Sequence, residues 1–179
     1  MATWSGNVGF DNFNELYANV GTATSEILEY CMEQYALPKL LEYIDRDVYE
    51  YNATWLNGNT NDEGRTYEFG DKDTWVVGKL KSGFYDQVYI AMNPSNLHYY
   101  EPFGHNHITM EKNIAEALPE IINNGLSESH MNFPAIRRRP FWDDFIKWFE
   151  KDFGKIFVQE CRKNGIDMTI SGGITSFVN

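Results

Sequence analysis

The chain has 179 residues, with 26 acidic against 15 basic side chains, a formal charge of −11 and an aromatic share of 16%. That length suits one domain with extended arms, and the aromatic share is ample material for a core. The acidity disfavours non-specific nucleic-acid binding, which rests on neutralising phosphates with Lys and Arg. A mean hydropathy of −0.49 and the lack of any apolar run of bilayer length predict a soluble protein that does not meet the membrane.

Met1-Ala2-Thr3-Trp4-Ser5 shows neither the basic nor the apolar region of a secretory signal. Cys31 and Cys161 sit far apart inside helical patterns and read as buried thiols rather than a disulfide framework. Folding inside a cell is the expectation.

Residues 1–22 are rich in Asn, Gly and Thr, and their apolar residues keep no sustained period, so they read as an N-terminal arm. Thr24 or Ser25 is suited to cap the first helix. Ile27, Leu28, Cys31 and Tyr35 form one stripe, and Leu37, Leu40, Leu41, Ile44 and Val48 another, with Pro38 predicting a kink or break between them. This run ends near residues 49–51, and the Asn-rich stretch 52–62 is a loop.

Residues 65–69, 74–80 and 86–92 read as strands, the last alternating Val88, Ile90 and Met92 against Gln87, Tyr89 and Ala91. Lys81-Ser82-Gly83 suits a hairpin turn. Residues 93–106 form a loop. A helix over 108–124 follows, distorted at Pro119 and closed by Asn123-Asn124-Gly125.

The chain is organised around what comes next. Pro140 suits a first helical turn, and Asp143 and Asp144 complement the positive end of a helix dipole. Trp142, Phe145, Ile146, Phe149, Phe153, Ile156 and Phe157 then fall on one stripe about 120° wide at helical spacing. Asn164-Gly165 supplies the stop, and Gly154 is the one discordant residue. These residues predict the core face of a long amphipathic helix that lies across a sheet. Residues 166–179 read as a last strand or second arm. The expected fold is α+β: a small antiparallel sheet packed against a long C-terminal helix, with one or two further helices, in a single domain over 23–165 with extended termini.

His98, Glu101, His105 and His107 crowd one loop, and a metal is the sharper interpretation of them. Convergent ligation needs more than neighbouring letters, and a loop of surface histidines is the expected case. No Gly-rich phosphate loop, no Gly-x-Ser-x-Gly elbow, no Cys–His motif and no Gly-x-Gly-x-x-Gly fingerprint occurs. Asp143-Asp144 is explained by helix-terminal charge, and Asp45 with Asp47 by a solvated helix face. Arg137, Arg138 and Arg139 form the one cationic cluster of an acidic chain, a candidate contact for an acidic partner surface.

The order of these pieces resembles a known family. Tyr43-Ile44-Asp45-Arg46-Asp47-Val48-Tyr49 precedes Gly64-Arg65-Thr66-Tyr67-Glu68, and Ile121-Ile122-Asn123-Asn124-Gly125 precedes Arg139-Pro140-Phe141-Trp142-Asp143-Asp144-Phe145. Over residues 40–163 this is similar to the tail-completion, or neck, proteins of long-tailed bacteriophages. The sequence departs from that family's pattern in its longer Asn-rich lead-in over 57–63 and in Phe69, where the family has Leu. The resemblance implies an α+β subunit of a homo-oligomeric ring in the virion, made in the host cytoplasm and set between head-connector and tail-tube proteins. It implies no catalytic residue and no cofactor. DNA would pass through the ring without sequence-specific binding, and the acidic balance suits such a lumen.

Other readings stay open. A tail terminator ring shares the α+β plan. A metal-dependent hydrolase would use His98, His105 and His107. A monomeric binding module would grip a carbohydrate or peptide with Trp55, Tyr99, Tyr100 and Phe103.

Overall fold

Long helical runs open and close the chain in the computed structural model, which describes residues 13–49, 68–82, 85–100, 107–109, 112–125 and 138–169. The fold is α+β, mostly helical, with two small two-strand antiparallel sheets among the described residues and a C-terminal helix of 23 residues. Contacts gather the described residues into two compact units. One takes residues up to Ala36, residues 77–90 and the chain from Trp148 onward; the other takes residues 37–76 and 91–147.

The first helical run joins α1 (Phe13–Cys31), a π-turn (Met32–Ala36), α2 (Leu37–Ile44) and a second π-turn (Asp45–Tyr49). It starts ahead of the expected cap, so residues 13–22 belong to the helix rather than to an arm. Ser25 is buried inside α1, and Thr24 donates its hydroxyl back to the Gly21 carbonyl at 3.0 Å. Such back-bonding satisfies a hydroxyl without ending a helix. Pro38 does not break the run either. The wider π-turn just before it gives a ring that lacks an N–H the room an α-turn denies it.

Strands β1 (Trp75–Ser82) and β2 (Tyr85–Met92) pair as the hairpin that the alternation predicted. A link this short admits only an antiparallel pair. β1 runs through Ser82, so Lys81 and Ser82 of the expected turn belong to the strand, and Gly83 lies outside the described residues. The strand expected over 65–69 is absent at Phe69, which sits in a 3-10 turn, Glu68–Gly70.

The stretch 93–106 is not all loop. A 3-10 turn, Pro94–Asn96, leads into β3 (His98–Tyr100), which pairs antiparallel with β4 (His107–Thr109). Ile108 therefore belongs to a strand, and helix α3 (Lys112–Asn124) starts after it. α3 carries Pro119 inside without a break, and Gly125 stops it at φ 77° with its N–H on the Ile121 carbonyl at 2.8 Å.

The C-terminal helix comprises α4 (Phe141–Trp148), a π-turn (Phe149–Phe153) and α5 (Gly154–Lys163). Asn164-Gly165 ends it as expected, with Gly165 at φ 79°. Of the predicted core positions, Phe145 and Phe153 are buried, while Trp142, Ile146, Phe149, Ile156 and Phe157 are half-buried. Phe141 and Cys161 are wholly buried, and Glu160 nearly so. Eight residues overshoot two α-turns by roughly 80°. The π-turn takes up an extra residue and returns Phe153 to the face of Phe145, which uniform α-spacing does not foresee. After Gly165 the chain to Thr169 is irregular rather than a strand, with Ile166 N–H on the Cys161 carbonyl at 2.9 Å.

In the unit of residues 37–76 and 91–147, an aromatic layer forms the core. Phe69 meets Trp75 at 5.5 Å and Phe141 at 5.4 Å, both edge to face. Trp75, the first residue of β1, stacks on Trp142 of α4 at 6.3 Å, and its indole N–H reaches the Phe69 carbonyl at 2.7 Å. Gly70 is required beside this layer. A Cβ there would come within 2.5 Å of the Tyr49 ring, whose hydroxyl already accepts the Gly70 N–H at 2.9 Å.

In the other unit α1 packs on α5, and Phe149 stacks on Phe153 at 4.3 Å. Cys31 and Cys161 are both free thiols, wholly buried. Loss of water pushes Cys31 up to about 12, and Glu160 adds to the effect. Burial and Glu160 raise Cys161 as well. No helix among the described residues is long and apolar enough to cross a membrane.

Candidate functional site

The start of α4 is where Arg138, Arg139, the paired aspartates and the end of α3 meet. Four N–H groups at a helix start lack intrahelical partners. Here Asn123, the penultimate residue of α3, supplies an acceptor from a different helix. Its Oδ1 takes the Trp142 N–H at 3.2 Å and the Asp143 N–H at 3.3 Å, and its Nδ2 donates to Asp143 Oδ1 at 3.1 Å. Asn123 is only 7% exposed, and the Arg139 N–H bonds the Ile122 carbonyl at 3.0 Å. Gly125 turns the chain away in a left-handed conformation, leaving the last turn of α3 against the first turn of α4.

The cationic cluster is divided by this joint. Arg137 lies outside the described residues. Arg138 is 60% exposed along its side chain and pairs with Asp143. Arg139 is half-buried and donates to the Val48 carbonyl at 3.2 Å, so it braces the second π-turn.

A further cation comes from Arg46, which stands between Asp45 and Asp47. Its guanidinium grips Asp47 at 2.5 and 2.6 Å and reaches Asp144 at 2.7 Å. It also lies over the Tyr43 ring at 4.7 Å. Lys147 closes the group on Asp144 at 3.0 Å. The Lys147 ammonium, then Arg46, hold the Asp144 carboxyl below its usual range. Asp47, then Asp144, keep Arg46 charged. The result is a rim of alternating charge, with Arg46, Arg138 and Lys147 outermost.

The histidine-rich stretch is only partly described. His98 Nδ1 lies 3.1 Å from Glu68 Oε1, and its backbone N–H bonds Glu68 Oε2 at 2.6 Å. His107 stands opposite Tyr100 in the β3–β4 ladder, and His105 lies outside the described residues. Among the described residues no group of three or more His, Cys, Asp or Glu is placed to hold a metal ion. Of the aromatics considered for a binding module, Tyr99 and Tyr100 lie on β3, and Trp55 and Phe103 lie outside the described residues.

A second polar constellation escaped the sequence reading. Glu160, 8% exposed, accepts the Tyr35 hydroxyl at 3.0 Å and the Lys163 ammonium at 2.6 Å, with the buried thiols of Cys31 and Cys161 in its field. The Lys163 hydrogen bond, helped by Tyr35 and opposed by burial, holds this carboxyl below its ordinary value. The same carboxylate raises the Tyr35 hydroxyl. The signal available in advance was a Glu at an apolar-stripe position, three residues beyond Phe157.

Compared with known proteins, the sequence matches no family model, no curated protein and no solved structure.

Proposed function

We propose that this chain is a structural subunit of a bacteriophage neck, a tail-completion protein that assembles into a ring around the DNA channel. The reading is carried by the joint at Asn123. Two of the four stretches behind the resemblance, 121–125 and 139–145, are separated by 13 intervening residues yet form one hydrogen-bonded unit. The rim of that unit presents Arg138, Arg46 and Lys147 beside Asp143, Asp47 and Asp144. Alternating charge of this kind sets register and excludes wrong partners at a protein–protein contact. The net charge of −11 suits a lumen through which DNA slides without adhering.

Native mass spectrometry and negative-stain electron microscopy of the full chain test this. Rings with a central opening are expected, together with no measurable binding to duplex DNA at about 0.15 M salt. A chain that stays monomeric at every concentration, and in the presence of head-connector and tail-tube proteins, overturns it.

A further inference from the structure

Among the described residues the exposed large apolar side chains are Tyr30, Val76, Leu80 and Tyr89, and all but Tyr30 belong to the β1–β2 hairpin. Leu80 is 54% exposed, Val76 45% and Tyr89 39%. Val76, Gly78 and Leu80 alternate onto one face of β1. The Tyr89 ring lies over Gly78, where an added Cβ would meet its Cζ at 2.3 Å, so β2 contributes Tyr89 to the same face. On the opposite side Trp75 is buried, and Lys79 reaches Glu29 of α1 at 3.8 Å. Apolar residues therefore occupy both faces, a pattern that belongs to strands covered on both sides.

The edges of the hairpin point the same way. Its sheet has two strands, and no further strand pairs with either edge among the described residues. Eight-residue strands with open edges are templates for pairing with another chain, and two strands alone are marginal in water. Charge identifies the occupant. Residues 74–100 carry Lys79, Lys81 and Asp86 as their only Lys, Arg, Asp or Glu residues, within a chain at −11. Two copies can meet there without the repulsion that opposes contact between acidic surfaces. β1 holds both lysines and β2 the aspartate, so β1 against β1 sets like charges together, whereas β2 against β1 joins opposite ones.

We propose that this hairpin is a head-to-tail self-association surface. β2 of one copy adds antiparallel to the β1 edge of the next and brings its Tyr89 beside the neighbour's Val76 and Leu80. A contact of this order joins two different surfaces, so it closes into a ring or continues as a filament. The inference needs only a second copy of this chain and stands whether or not that assembly is a phage neck.

The test uses the full chain, with oligomer mass read by native mass spectrometry and folding checked by thermal melts. Leu80→Lys and Gln87→Lys alter exposed positions and should leave the melt unchanged while raising the apparent dissociation constant about tenfold or more. An oligomer indifferent to these changes overturns the hairpin as its contact and leaves the ring reading standing. A closed dimer and nothing larger overturns the head-to-tail order. A monomer at every concentration overturns both proposals.

Discussion

At its first turn the C-terminal helix is held by a neutral amide and a layer of rings; at its last turn, by a carboxylate set between a phenol and an ammonium. Asn123 satisfies the open N–H groups at Trp142 and Asp143, while Phe69, Trp75 and Phe141 pack beneath. Glu160 draws in Tyr35 and Lys163 beside two buried thiols. Rings and backbone N–H bonds carry the first arrangement, and the Asp144 rim beside it adds a charged part that acid weakens. The second depends on a charge kept out of water, and pH is its control.

The largest test of this contrast is Phe141→Ala. Phe141 is wholly buried, and truncating such a ring costs about 3–5 kcal/mol. Trp142→Ala should cost less, because Trp142 is half-buried, with its ring against Trp75 and Phe145. Chemical denaturation of both variants gives the order, and equal losses would show that the ring layer is not the main support.

Asn123→Ala comes next. It removes the acceptor at the start of α4, a change that costs about 1–2 kcal/mol for a helix cap. The loss should depend only weakly on salt, since the two N–H bonds removed are between neutral groups and just the Nδ2 bond to the Asp143 carboxylate involves a charge. A strongly salt-dependent loss would place the joint among the charged devices instead.

Glu160→Gln sharpens the other side. The Lys163 hydrogen bond holds this carboxyl below its ordinary value of 4.5, so the folded protein binds fewer protons there than the unfolded chain does. The stabilisation is present above that value and is lost as pH falls through the depressed one. Wild-type melting temperature should therefore drop between about pH 5 and pH 3, and the Gln variant should lose part of that slope. Asp144, lowered by Lys147 and Arg46, contributes acid sensitivity of the same sign, and its share should persist in the variant. Identical acid limbs for the two proteins would remove Glu160 from the account.

The smallest effect on folding belongs to Arg138→Glu. The pair with Asp143 is exposed, and exposed pairs contribute about 0–1 kcal/mol. The melting temperature should move by no more than about 4 °C. Assembly is the sensitive readout, because the reversal sets like charges together on the rim. Full ring formation by a stable Arg138→Glu protein would leave that side chain as a solvated helix flank.

Features written in neighbouring residues were legible in the sequence. Asn124-Gly125 and Asn164-Gly165 end their helices as expected, because a left-handed stop needs only a Gly at the right place. The β1–β2 hairpin was visible in strict alternation over Asp86 to Met92. Strands β3 and β4 were not, since three residues show no period. Asn123 looked like part of a stop signal, and its hold on a helix 19 residues onward is a tertiary fact. Arg46 and Arg139 likewise declared a charge but not the direction it would face. Phe141 was missed by one position, because the stripe was counted from Trp142 at a uniform 100° per residue.

The π-turn at Phe149–Phe153 also bears on how the length of this chain can change. It holds one residue more than a regular turn, so a homologue lacking one residue there could close into an unbroken α-helix with both flanks on their present faces. The same deletion within α5 would swing Cys161 by about 100° and turn it toward water. Single-residue gaps among relatives of this chain should therefore collect at the π-turns and spare the helical segments on either side of them.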